Sequence, residues 1–89
     1  MNQPQLRRPP TVRETVARWE HRTASRIGFR DPGRPPFDRR LFLKQFWEDH
    51  PGDPRATELA DVFERAVKEA RGNVTRFRQK LERELSLIL

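Results

Sequence analysis

Apolar residues recur at helical spacing in three stretches of the chain, each bounded by residues that start or stop helices. The first series is Val12, Val16, Trp19, Thr23 and Ile27. Steps of three or four residues place this series on one face of a helix over about residues 11–27. Thr11 and Glu14 form a capping box at its start, and Gly28 is where we expect the helix to end.

The second stretch predicts a helix over about residues 38–50, with Asp38 as its cap and Pro51 and Gly52 closing it. Its apolar residues are Leu41, Phe42, Leu43, Phe46 and Trp47. They cover most of the helix circumference. A helix that is apolar on all sides belongs in the middle of a structure, between other helices or against a partner.

The third stretch begins at Asp53 and Pro54, a cap followed by a residue suited to the first helical position. Its apolar series is Ala56, Ala60, Phe63, Val67, Ala70, Val74, Phe77, Leu81, Leu85 and Ile88. This nearly heptad spacing favours one long helix. The pair Gly72–Asn73 favours a break, because glycine ends helices and asparagine caps them. We favour a kink or break there, which gives helices over about 54–71 and 73–88.

These patterns predict an all-α fold of three to four helices, since no useful β alternation is present. We expect an extended Pro/Arg-rich N-terminal arm over residues 1–10 and a single small helical domain over residues 11–89. On the outer face of the third stretch we expect two ion pairs between residues four apart, Glu64–Lys68 and Lys80–Glu84.

Composition narrows the classes of function. The chain has 89 residues, no Cys, no Tyr and only two His, so disulfides and thiolate metal clusters are excluded and nucleophilic catalysis has few candidates. No phosphate-binding glycine motif occurs. We therefore predict no enzyme, with no catalytic, cofactor-binding or metal residues. The apolar runs are too short to span a bilayer and no secretory signal is evident, so we expect an intracellular protein, with a mitochondrial location compatible.

Positive charge is concentrated in the first half of the chain, where residues 1–47 carry 11 basic and 4 acidic side chains. The candidate basic contact residues are Arg7, Arg8, Arg34, Arg39 and Arg40. Phe29 and Phe37 lie among these arginines, where they either stack on exposed bases or pack back on the core. Asp31 and Asp38 lower the net positive charge of this region. One hypothesis is therefore a small RNA- or DNA-binding module; the alternative is that the arginines only solvate a surface.

The leading hypothesis rests on the apolar surface, which exceeds what so few helices are expected to cover. Large exposed apolar patches on small proteins usually mark interfaces. The candidate interface residues are Phe42, Phe46, Trp47, Phe77, Leu81, Leu85, Ile88 and Leu89. We expect a non-catalytic accessory subunit that docks into a larger assembly of protein subunits, with self-association through the heptad stripe as a variant. The competing interpretation is that the last helix folds back and completes the chain's own core.

Overall fold

The fold is all-helical in a computed structural model that describes residues 8–29 and 33–89. Four helices follow one another: α1 (Val12–Phe29), α2 (Arg39–Asp49), α3 (Ala56–Ala70) and α4 (Val74–Ile88). No strand occurs among the described residues, which confirms the predicted fold class. Residues 1–7 of the predicted N-terminal arm lie outside the described residues.

Three helices begin at the side-chain caps that the sequence predicts. In α1, the Glu14 amide donates to the Thr11 hydroxyl at 3.1 Å and the Thr11 amide donates to Glu14 Oε1 at 2.9 Å. Asp38 Oδ1 accepts from the first turn of α2 at 3.1 Å, and Asn73 Oδ1 accepts from that of α4 at 2.8 Å. Each cap satisfies a backbone N–H that has no partner within the helix.

Two predicted boundaries are wrong by two residues each. Gly28 does not end α1, which continues to Phe29 because glycine permits a left-handed backbone without requiring it. Asp53 does not cap α3: its carboxylate binds the amide and guanidinium of Arg55 instead. These hydrogen bonds lower the pKa of Asp53 to about 2 and fix a turn, so that α3 begins at Ala56.

The break between α3 and α4 is confirmed and has a clear backbone cause. Arg71 and Gly72 adopt left-handed φ angles of 48° and 81°, which end α3, and Asn73 then starts α4 with an extended backbone. Arginine rarely takes this conformation. The heptad phase therefore continues across two antiparallel helices rather than along a single rod.

Pairs of contacts show that α4 runs antiparallel to both α1 and α3. Arg13–Leu89 at 2.8 Å and Glu20–Arg78 at 3.6 Å join α1 to α4, and Glu69–Lys80 at 2.7 Å and Arg65–Glu84 at 2.6 Å join α3 to α4. Thr15–His50 at 2.7 Å joins the start of α1 to the end of α2, and Arg39–Asp61 at 2.7 Å joins the start of α2 to α3. Because α4 also returns along α1, the helices form an up-and-down bundle. One end of the bundle holds the start of α1 and the end of α2, together with the start of α3 and the end of α4.

The core is a cluster of aromatic rings contributed by all four helices and the segment before α2. Its fully buried large side chains include Phe42, Phe46, Leu59, Phe63, Phe77 and Leu81. Phe63 lies at the centre, with its ring centroid 4.9 Å from that of Phe37 and 5.5 Å from that of Phe42. Trp19 of α1 closes the cluster edge-on to Phe42 at 5.3 Å. Burying each such ring stabilises the fold by roughly 1.5–3 kcal/mol.

Candidate functional site

Five of the eight predicted interface residues are part of the chain's own core. Phe42, Phe46, Phe77 and Leu81 have no exposed surface, and Leu85 is 8% exposed. The expectation that the helices cannot cover their apolar faces is not met at these residues: α4 packs against α1 and α3, and Phe42 of α2 packs against Trp19 of α1 and Phe63 of α3. These five side chains are therefore not available to a partner while the fold is intact.

The other three predicted interface residues lie at one end of the bundle, which we call the apolar end. Trp47 at the end of α2 is 49% exposed, and Ile88 and Leu89 at the end of α4 are partly exposed. Leu87, which belongs to the same apolar C-terminal run, is 84% exposed at the same end. Four apolar side chains are thus accessible here, two of them with about half or more of their surface in water.

The predicted basic contact residues are in different situations. Arg7 lies outside the described residues. Arg8 pairs with Glu14 at 2.9 Å. Arg39 is not free to contact a partner, because it binds both Asp61 and Glu64 of α3 at 2.7 Å. It therefore joins α2 to α3. Arg34 and Arg40 are exposed and form no ion pair with any described residue.

A basic surface lies along α1, and we call it the arginine groove. Its Arg34 and Phe29 were named from the sequence, but Arg22 and Arg26 were missed. Arg26, Phe29 and Arg34 line a shallow groove of about 230 Å³ together with Ser25. Arg22 joins Arg26 and Arg34 in the adjoining depression. The signal was present in the sequence, since arginines at positions four apart on one helix must share a face.

Phe29 and Phe37, the two phenylalanines among the arginines, differ in burial. Phe37 is buried in the aromatic core, 7% exposed, whereas the ring of Phe29 is 84% exposed beside the groove. The same short segment therefore contributes one side chain to the core and presents the other to solvent.

A carboxyl pair lies between α1 and α4. The Glu20 side chain is only 13% exposed, and its Oε2 lies 3.6 Å from Arg78 Nη1 with no hydrogen-bond partner among the residues described. Burial and the nearby carboxyl of Glu82 raise the pKa of Glu20 to about 7, although the positive charge of Arg78 acts to lower it. The cleft around this pair is also lined by Arg13 and Leu89.

The described residues contain neither a cluster of metal-ligating side chains nor a helix that could span a membrane. Within residues 8–29 and 33–89, no three His, Asp or Glu side chains come close enough to hold a metal ion. His50 is bonded to the Thr15 hydroxyl at 2.7 Å. In the same part of the chain, no helix has the length and apolar character needed to cross a membrane.

No protein family, curated protein or solved structure matches this chain. The apolar end and the arginine groove are therefore the two features of the molecule that bear on its function.

Proposed function

We propose that this chain is a non-catalytic accessory subunit that docks onto a protein partner through its apolar end. The observation that carries the proposal is Trp47, which is 49% exposed although it follows directly after the fully buried Phe46. Tryptophan is enriched among residues that dominate binding energy at protein interfaces. The core of this bundle is already closed by other aromatic rings, so folding alone does not explain an exposed indole.

The end of α4 supports the same interpretation. Leu87 is 84% exposed, and the neighbouring Ile88 and Leu89 are packed against the core with part of their surface accessible. Side chains from α2 and α4 thus meet solvent at one end, where a protein partner with an apolar surface would exclude water from both. Burial of apolar area is the main favourable term in such association.

Site-specific photo-crosslinking in the native cell tests this proposal. A photoreactive residue at position 47 or 87 is expected to crosslink to the same partner chain. The same residue at position 76, at the opposite end of α4, is the control and is expected to capture none of it. Crosslinking at position 76 alone, or no partner at any position, would overturn the proposal.

Reconstitution with the captured partner then gives a quantitative test. Trp47→Ser is expected to weaken binding at least tenfold, because tryptophan is enriched among the interface residues whose truncation costs about 2 kcal/mol or more. Lys44→Ser, an exposed change one turn earlier on α2, is the matched control and should leave affinity within twofold. Equal affinities for the two variants would contradict docking at the apolar end.

A further inference from the structure

The arginine groove concentrates positive charge that no ion pair with a described residue neutralises. Arg22, Arg26 and Arg34 form no ion pair with any residue in the described part of the chain. Asp38 is the acidic side chain that lines the depression, and its Oδ1 is already bonded to the Leu41 amide as the cap of α2. Like charges one helical turn apart destabilise a helix, so the fold keeps this cluster at a cost.

The cations of α1 lie in a regular row. Arg22 and Arg26 are four residues apart, and Arg18 extends the row by one further turn towards the start of the helix. At 1.5 Å per residue, the Cα atoms of successive arginines in this row are therefore spaced about 6 Å apart along the axis. A row of evenly spaced cations suits a polymer with a repeating negative charge better than a single carboxylate.

The groove also presents planar groups for stacking. Phe29 has 84% of its surface exposed and lines the groove with Arg26. The guanidinium of Arg22 lies 4.8 Å from the centroid of the Trp19 ring, which holds it at the surface. Bases of single strands stack on exposed aromatic rings and on arginine planes, whereas paired bases in a duplex do not expose their faces.

We propose that the arginine groove binds single-stranded nucleic acid, with its arginines on successive phosphates and Phe29 stacked on a base. An acidic protein would also be attracted by the charge and would bury the Phe29 ring in its interface, so polyglutamate is included as a competitor in the test below. The groove involves the second half of α1 and Arg34, whereas the proposed protein docking uses the opposite end of the bundle. The two proposals therefore fail or succeed separately.

Fluorescence anisotropy of the full chain with labelled 12-nucleotide single strands of U or dT tests the proposal. If Arg22, Arg26 and Arg34 each contact one phosphate, the slope of log affinity against log salt concentration is expected to be near −2. Affinity is therefore expected to fall about twentyfold between 50 and 200 mM salt. Arg26→Gln/Arg34→Gln should weaken binding at 50 mM salt at least tenfold and reduce the slope below 1 in magnitude. Phe29→Ala should weaken it about tenfold and leave the slope unchanged.

Two controls separate this site from non-specific charge. Lys68→Gln/Arg83→Gln removes the same charge from exposed positions outside the groove and is expected to leave affinity within threefold. Circular dichroism melts should show that every variant is folded. Equal loss in both double variants, binding of a duplex or polyglutamate as tight as that of the single strand, or no binding at 50 mM salt would overturn the proposal. Trp47→Ser should not affect this assay.

Discussion

Replacing Glu20 by Gln should stabilise the protein at alkaline pH and have little effect at acidic pH. The Glu20 carboxyl lies in the α1–α4 cleft, 13% exposed, and its pKa is raised to about 7 by burial and by Glu82. The fold therefore accepts the protonated form more readily than the charged one. The stability that protonation provides is complete below the ordinary pKa of 4.5 and is lost as the pH rises through 7.

The size of the effect follows from the shift in pKa. A rise from 4.5 to about 7 corresponds to at most about 3 kcal/mol, at 1.36 kcal/mol per unit. Glu82 is exposed and Arg78 is 42% exposed, so solvent reduces their part of the interaction. We therefore expect Glu20→Gln to be about 1–2 kcal/mol more stable than wild type at pH 8, which is roughly 5–15 °C in Tm for a domain of this size.

Thermal and urea unfolding of wild type and Glu20→Gln at pH 4.5 and pH 8 measure this difference. Comparing the two proteins in each buffer cancels the contribution of other titrating groups. Glu84→Gln is the matched control: Glu84 pairs with Arg65 at 2.6 Å, so its replacement should not stabilise the protein at pH 8. The reasoning is refuted if Glu20→Gln and wild type are equally stable at pH 8, or if they differ by the same amount at both pH values.

Two further predictions concern buried and capping polar groups. Thr23 is fully buried, and its hydroxyl has no hydrogen-bond partner among the described residues. Because Thr23→Val removes this unsatisfied hydroxyl, it should raise the free energy of unfolding by about 1 kcal/mol. Urea unfolding measures the change. Thr15→Val, which removes a hydroxyl bonded to His50, should destabilise by a similar amount, and the same sign for both changes would contradict this account. Asn73→Ala removes the cap of α4 and should cost about 1 kcal/mol; no loss of Tm would show that the cap does not hold the helix start.

Local chemistry made the helices predictable from sequence. The caps at Thr11, Asp38 and Asn73 depend on residues within three positions of each other, so each could be identified along the chain. The boundaries at Gly28 and Asp53 could not, because the outcome depended on competing interactions. The Asp53 carboxylate could either cap α3 or bind Arg55. In the structure it binds the Arg55 guanidinium.

Tertiary contacts explain what sequence alone did not predict. The expected pair Glu64–Lys68 on one helix is replaced by Glu64 with Arg39 of α2. Lys80 likewise pairs with Glu69 across the α3–α4 interface rather than with Glu84 on its own helix. Apolar spacing shows which face of a helix is buried but not whether this chain or a partner covers it. For that reason Phe77 and Leu81 were expected at a partner interface, whereas the structure places them in the core.

The turn of three residues between α3 and α4 also bears on how the chain folds. Because Arg71, Gly72 and Asn73 reverse the chain within so short a segment, pairing these two helices closes only a small loop and loses little chain entropy. Their contacts are local in sequence, a property associated with fast folding. The α3–α4 hairpin therefore assembles early the two surfaces that the remaining helices cover, since α2 packs against α3 and α1 against α4.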